Sequence, residues 1–232
     1  MRDRKRYNQI AIIISFIVLL LLVCYLLYSR WQEEKNIFVY EDHLNDIVVT
    51  VGEQPVTLKE FGYYIAKMEK DVQEKALIYN PNDPMEYWNV HFSAGLDSGY
   101  MFQYAWNYAL ADCICDLIFA QKAQDEGYSL SENGYKQANI RAEELYTMLS
   151  TEQIEKTGLT IDLIKMIEER RLLVQLYTKS FMEENELSGY VDNIMNCISG
   201  NNSMVMESEV ICNEELKNNI RMGTITVNCN RK

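Results

Sequence analysis

Residues 112–116, Asp-Cys-Ile-Cys-Asp, place two thiols and two carboxylates within five positions. Thiolates and carboxylates bind metal ions, and closely spaced cysteines can carry redox chemistry. Cys113 and Cys115 are two positions apart in a segment that predicts a helix, so they point to different faces and a disulfide between them is not expected. We interpret them as small apolar side chains packed within a buried helix.

Groups for acid–base or nucleophilic catalysis are few. The sequence has two histidines, His43 and His91, which leaves little for a histidine-dependent nucleophile or a zinc enzyme. It has no phosphate-binding glycine loop, dinucleotide fingerprint or nucleophile elbow. The acid pairs at 168–169 and 183–184 are typical of solvated helix faces rather than general acids. We therefore expect no enzymatic activity and no cofactor or metal.

Aromatic and methionine side chains are abundant: 16 Tyr, 3 Trp, 7 Phe and 11 Met. Proteins that bind many partners use such groups because they can repack against varied sequences. The alternative is a core built largely from tyrosines, which Phe61, Ile65 and Leu117 favour. The candidates for contact with a partner polypeptide are Tyr64, Met68, Tyr87, Trp88, Phe92 and Tyr104.

The N-terminal segment has a long apolar run. Residues 10–28 carry no charge over nineteen positions, close to the ~20 that a membrane-spanning helix needs. No small-residue cleavage site follows, which predicts an uncleaved signal anchor. The basic residues before the run predict that residues 1–9 are cytoplasmic and the rest extracytoplasmic. Lipidation at Cys24 is disfavoured, since Val23 is not the small residue that such signals need.

The remainder of the chain is acidic. Residues 31–232 hold 33 of the 34 acidic residues and 17 of the 22 basic ones. Binding to nucleic acid or anionic lipid is therefore not expected, because phosphate binding needs a basic surface. An extracytoplasmic location permits disulfides, and a bridge among Cys197, Cys212 and Cys229 is plausible without a defined pairing.

Cap and turn residues predict a mainly helical domain with short strands. Ile47–Val51 predicts a strand, and Thr57 with Glu60 predicts the start of a helix. Residues 84–99 predict a loop, and residues 224–232 a frayed end. A further helix is predicted to start at the Ser129–Glu132 capping box and to end near residue 149. The other predicted helices cover residues 58–77, 100–126, 151–158, 161–184 and 214–222. A last strand is predicted at 210–212.

Three segments carry a family resemblance. They are VTVGEQPVTLKEFGYYI, which begins at Val49, AQKAQDEGYSLSE from Ala120, and EKTGLTIDLIKMIEERRLLVQLYTKSF from Glu155. Together they resemble the N-terminal chaperone domain of the SurA/PrsA foldases, a helical module shared in part with trigger factor. The match covers roughly residues 47–184. Only 48 residues follow Glu184, too few for the parvulin domain that carries prolyl isomerase activity in that family.

The resemblance implies a mainly α protein with one transmembrane helix and an extracytoplasmic SurA-like helical domain containing one or two short strands. Its expected parts are a basic tail (1–9), an anchor (10–28), a stalk (29–46), the chaperone domain (47–186) and a tail with a closing strand and helix (187–232). The implied function is ATP-independent binding of unfolded or newly secreted polypeptides at the membrane of a Gram-positive bacterium. The alternative is a non-catalytic adaptor or structural subunit of a cell-envelope complex with one dedicated partner.

Overall fold

The computed structural model describes residues 19, 22–25, 38–94, 97–184 and 209–228. The chain divides into two units, Met1–Val39 and Tyr40–Lys232, and the second contains the sheets and the long helices. After a 3-10 helix at Tyr40–His43, its elements are β1 (Ile47–Val51), β2 (Gln54–Thr57), α1 (Leu58–Tyr79), α2 (Met85–Trp88), β3 (His91–Ala94), β4 (Asp97–Tyr100), α3 (Met101–Asp125), α4 (Glu132–Met148), α5 (Thr151–Thr157), α6 (Ile161–Glu184), β5 (Val210–Cys212) and α7 (Glu214–Asn219).

The predicted mainly helical class with short strands is confirmed, but the predicted transmembrane helix is not. Within the apolar run at 10–28 the structure describes residues 19 and 22–25, which are helical. Among the described residues, no helix combines the length and the apolar character needed to cross a bilayer. The long helices fail this requirement because charges recur along them, as Asp112, Asp116 and Lys122 do in α3. The single-pass architecture and the membrane localisation are therefore wrong on this finding.

Helix α3 lies against both α1 and α6, while α4 packs on α6. Within α3, the residues Ala105, Ala109 and Ala123 are buried, and their small side chains allow neighbouring helices to approach closely. Phe61 of α1 is fully buried and meets Trp106 of α3 edge to face at 4.9 Å. The buried helix that was predicted around Cys113 and Cys115 is thus confirmed.

Strand β1 forms the centre of a three-stranded antiparallel sheet, with β2 and β5 on either side. Val48 and Val49 are buried, as expected for a β-branched run at the middle of a sheet. β5 pairs Cys212 with Val49, and Asn213 then caps α7 by accepting from the amides of Glu215 and Leu216. The predicted closing strand is confirmed, and the helix after it ends at Asn219 rather than near 222.

The segment predicted as a loop before α3 contains regular structure. Helix α2 is followed by a hairpin in which β3 pairs antiparallel with β4, from His91 opposite Tyr100 to Ala94 opposite Asp97. The Met101 amide donates to the Val90 carbonyl at 3.0 Å and joins the hairpin to the start of α3. This hairpin, rather than an irregular loop, positions the aromatic side chains of the segment.

The C-terminal residues are held in the interior, so the prediction of a frayed end from residue 224 is wrong for residues 224–228. Glu69 of α1 is completely buried and accepts hydrogen bonds from the amides of Gly223 (2.5 Å), Ile225 (3.2 Å) and Thr226 (2.5 Å), and from the Thr226 hydroxyl (2.6 Å). A buried carboxylate needs such donors to offset its lost hydration. Gly223 has φ +90°, and a Cβ there would lie 2.5 Å from the Trp88 ring.

Candidate functional site

A row of aromatic rings lies where α1 ends, α2 and the hairpin pass, and α3 begins. Tyr79 and Tyr87 have ring centroids 5.4 Å apart, Tyr87 and Phe92 are 6.5 Å apart, and Phe92 and Tyr104 are 6.2 Å apart. We call these four residues the aromatic surface. Their tilted and edge-to-face geometries are the favourable arrangements for aromatic pairs. The four rings thus form one continuous row although they come from four elements.

The local backbone explains how these rings meet. Phe92 lies opposite Gly99 in the hairpin, and a Cβ at position 99 would be 3.6 Å from the Tyr104 ring. This is an ordinary van der Waals distance, so the hairpin backbone at Gly99 lies close to the Tyr104 ring. Tyr100, the N-cap residue of α3, has its amide bonded to the Gln103 side chain at 2.9 Å, which fixes the start of the helix that carries Tyr104.

A second aromatic row involves alternate residues of the hairpin. Neighbouring residues of a strand face opposite ways, so His91 lies on the other face from Phe92. The His91 and Tyr100 rings are 4.9 Å apart, and Tyr100 stacks with Phe102 at 5.6 Å. The Arg221 guanidinium lies 4.5 Å from the Phe102 centroid, a cation–π contact from the C-terminal segment. Both faces of the hairpin therefore carry aromatic groups.

The aromatic surface is open to solvent. Tyr79 is 55% exposed and Phe92 37%, while Tyr87 and Tyr104 are half-buried. The neighbouring Leu77 and Ile78 at the end of α1 are also exposed, Ile78 by 85%. Adjacent exposed apolar groups of this kind mark interaction sites, whereas single ones are ordinary on protein surfaces. This surface is the strongest candidate for binding a partner.

The six predicted contact residues fall into different environments. The structure brings Tyr87, Phe92 and Tyr104 together in the aromatic surface, and leaves Met68 half-buried on α1. Trp88 is fully buried and donates its indole N–H to Gln73 at 2.8 Å. Tyr64 is 2% exposed and lies in the helical core. In this conformation neither Trp88 nor Tyr64 can contact a partner.

Tyr79 belongs to the aromatic surface but was not among the sequence candidates. A pattern in the sequence indicates its exposure. Leu77, Ile78 and Tyr79 are three consecutive apolar residues at the end of a helix, immediately before the Asn80-Pro81 turn. Consecutive positions of a helix point in different directions, so one buried face cannot accommodate all three side chains.

A buried polar network connects α1, α3 and α6. The Tyr63 hydroxyl donates to Glu168 at 2.5 Å, and the Tyr64 hydroxyl donates to Asp116 at 3.1 Å. Arg171 also donates to Asp116, at 2.9 Å. Glu168 is 4% exposed, so the prediction of a solvated face for the 168–169 pair is wrong at Glu168. Its carboxylate is acceptable inside because Tyr63 and the nearby Lys67 satisfy it.

Burial dominates the electrostatics of this network. It raises the pKa of Asp116 to about 6, against the opposing effects of Arg171 and the Tyr64 hydrogen bond. Desolvation likewise lowers the pKa of Lys67 and raises the pKa of the Cys113 thiol, which is completely buried. Cys113 and Cys115 are both buried, as their interpretation as packing groups predicts.

The network adjoins a cavity of about 170 Å³ lined in part by Asp112, Asp116, Phe119 and Arg171. Asp116 already accepts from Arg171 and Tyr64, and Arg171 also faces Asp112 at 3.8 Å. These groups satisfy one another, which is the pattern of a structural network. Within the described residues, no three His, Cys, Asp or Glu side chains are grouped to hold a metal ion.

The predicted disulfide involves residues that lie largely beyond the described structure. Cys212 lies at the end of β5, but Cys197 and Cys229 are outside the described residues. The bridge therefore stays a prediction.

The chain matches no protein-family model, no curated protein and no solved structure. The resemblance to the SurA/PrsA chaperone domain is thus without support from these comparisons and stays a prediction.

Proposed function

We propose that this protein binds exposed apolar segments of unfolded polypeptides at the aromatic surface, without ATP and without catalysis. The observation that carries the proposal is the continuous, solvent-exposed row of rings from Tyr79 to Tyr104. Aromatic rings bury a large apolar area per residue and lose little side-chain entropy, which suits them to binding. The partner is bound by apolar burial and released when its own folding buries the same segment.

Two further features support a broad choice of partner. The rings come from α1, α2, the hairpin and α3, so a partner can meet side chains of four separate elements. Leu77 and Ile78, the two residues before Tyr79, add exposed apolar side chains at the same end of α1. These features favour recognition of apolar character over recognition of one sequence.

The test is suppression of aggregation of an unrelated, heat-labile protein by the full chain, followed by light scattering. We expect suppression at near-stoichiometric ratios by the native protein and a loss of at least fivefold in potency for the double variant Tyr79→Ser, Phe92→Ser. The matched control is Ile140→Ser, Leu176→Ser, which replaces two apolar side chains of α4 and α6, each 45% exposed. The control should suppress aggregation as well as the native protein.

Three results would contradict the proposal. The folded native protein could fail to suppress aggregation, which would favour a surface that serves one dedicated partner. Equal losses in both double variants would show that exposed apolar area acts irrespective of position. Acceleration of a proline-limited refolding reaction would contradict the absence of catalysis.

A further inference from the structure

A groove of about 440 Å³ lies on another part of the same unit, where the second half of α3 faces α4, α6 and β2. Its volume is within the range of known ligand sites. It shares no residue with the aromatic surface, and position 120 is about 160° around α3 from Tyr104, since each residue of a helix turns by about 100°. Its lining includes Gln124, Leu130, Met166, Glu169, Arg170 and Leu173.

One side of the groove is apolar. Leu173 is buried at its base, Leu130 is half-buried, and Met166 is 44% exposed. Leu130 also packs against the buried cluster formed by α3 and α6, so its position is fixed by the core. Methionine adapts its shape to an irregular ligand, and the two leucines give a firm surface behind it. This wall suits an unbranched aliphatic chain.

The polar side of the groove holds an unpaired carboxylate. The Glu169 carboxylate has no hydrogen bond or ion pair to any residue in the described part of the chain. The side-chain amide of Gln124 has none there either. By contrast, the neighbouring Arg170 is bound to Glu60 at 2.8 Å, and the carbonyl of Gln121 accepts from Gln54 at 2.9 Å. The groove therefore offers the Glu169 carboxylate and the side-chain amide of Gln124, while the positive charge of Arg170 is already neutralised by Glu60.

We propose that this groove binds a long cationic side chain, lysine or arginine, of a partner polypeptide. The aliphatic stem lies along Leu130, Met166 and Leu173, and the charged head meets the Glu169 carboxylate and the side-chain carbonyl of Gln124. Long basic side chains bury their stems against apolar surface and keep their charge at a polar edge. The net charge of −12 favours approach of basic polypeptide segments in general. This site is separate from the aromatic surface, and its existence does not depend on the function proposed there.

The first measurement is an NMR titration of the full chain labelled at methionine methyl groups. The ligand is the peptide acetyl-Gly-Ser-Lys-Ser-Gly-amide, and the matched ligand replaces its lysine with norleucine, which has a similar aliphatic chain and no charge. We expect the lysine peptide to shift the Met166 methyl signal in a saturable way and to bind at least tenfold more tightly than the norleucine peptide. An arginine peptide should behave like the lysine peptide.

The matched variants each remove one negative charge. Glu169→Gln should weaken the lysine peptide at least fivefold, because the only group it changes is the unpaired carboxylate in the groove. Glu144→Gln, at an exposed position of α4, should weaken it less than twofold. Equal effects of the two variants, equal binding of the two peptides, or an unshifted Met166 signal would each overturn the proposal. None of these results bears on aggregation suppression at the aromatic surface.

Discussion

Tyrosine serves two opposite purposes in the buried polar network and on the aromatic surface. Tyr63 and Tyr64 are buried, and their hydroxyls donate to the carboxylates of Glu168 and Asp116. Tyr79 on the same helix is 55% exposed, and its ring contacts Tyr87 at 5.4 Å. In the network the hydroxyl is essential and the ring fills space, whereas on the surface the ring is the part available to a partner.

This difference between buried and exposed tyrosines indicates where a tyrosine-rich protein can bind a partner. Most polar groups inside the fold are paired, with the buried Trp106 indole N–H as an exception, and pairing leaves such a group nothing to offer to a ligand. Rings at the surface need no such pairing, so their apolar faces remain available. Polar changes inside should therefore alter stability, and changes on the aromatic surface should alter binding while leaving stability nearly unchanged. The four predictions below test this contrast from the largest expected effect to the smallest.

The largest effect should come from removing the carboxylate of Glu69. Glu69→Leu leaves the amides of Gly223, Ile225 and Thr226 buried without an acceptor, and an unsatisfied buried donor costs about 1–3 kcal/mol. We expect the unfolding free energy to fall by about 3–5 kcal/mol in urea titrations. The control is Glu74→Gln, which removes an exposed ion pair with Lys70 and should cost less than about 0.5 kcal/mol. Similar losses in both variants would contradict the role assigned to Glu69.

The next effect concerns Gly223, which holds the same C-terminal segment in place. Gly223→Ala combines strain at φ +90° with a Cβ only 2.5 Å from Trp88, so about 2–4 kcal/mol should be lost. Gly127→Ala is the matched control, because Gly127 has φ +83° and nothing within 4 Å of an added Cβ. It should lose only the strain, about 1 kcal/mol. Calorimetry of both variants measures the difference, and equal losses would mean that contact with Trp88 is unimportant.

This C-terminal segment also shows where sequence analysis reaches its limit. Local patterns predicted the helices well: Thr57 caps α1, Ser150 and Gln153 form a capping box at α5, and α5 ends at Gly158 in a left-handed conformation. Each of these depends on neighbours within four residues. The contact between Glu69 and Thr226 joins positions 157 apart, and the local pattern of residues 223–228 gives no indication of it.

Two other differences have local causes. Ser131, not Ser129, caps α4, because the chain is still completing the turn after α3, where the Tyr128 amide donates to the Ala123 carbonyl. The hairpin at β3 and β4 was missed because its residues, mostly serine, glycine and alanine beside aromatic groups, lack the β-branched alternation that predicts strands. Tyr87, Phe92 and Tyr104 could therefore be chosen as candidates from their aromatic side chains alone. Their contact with one another depends on the hairpin, which the sequence did not predict.

The third prediction is a pH dependence centred on Asp116. Its pKa is raised from 3.8 to about 6, so between about pH 4 and 6 the folded state holds this proton more tightly than the unfolded state. The contribution of Asp116 to the unfolding free energy therefore falls as pH rises through this window, by about 2–3 kcal/mol. Asp116→Asn removes this titration and should gain stability relative to the native protein from pH 4 to 6.

Urea titrations of both proteins from pH 4 to 7 measure this difference. Carboxyl NMR gives a second reading: the Asp116 midpoint should lie near pH 6 and move higher in Arg171→Met, because Arg171 lowers that pKa. Arg141→Met is the control, since Arg141 is 4.0 Å from Glu168 and has no contact with Asp116. A midpoint near 3.8 would show that Asp116 is well hydrated and not part of a closed network.

The smallest effect comes from removing the hydroxyl oxygen of one tyrosine at a time. Tyr64 and Tyr79 can be compared directly because both lie on α1. Tyr64→Phe deletes the hydroxyl that bonds to Asp116, leaves that carboxylate with one donor fewer, and should cost about 1–2 kcal/mol. Tyr79→Phe deletes an exposed hydroxyl and keeps the ring, so both stability and aggregation suppression should stay within error of the native protein. If instead Tyr79→Phe lost suppression, the hydroxyl rather than the ring would be the binding group. If Tyr64→Phe were neutral, the contrast between the two regions would not hold, since the interior hydroxyl would then be as dispensable as the exposed one.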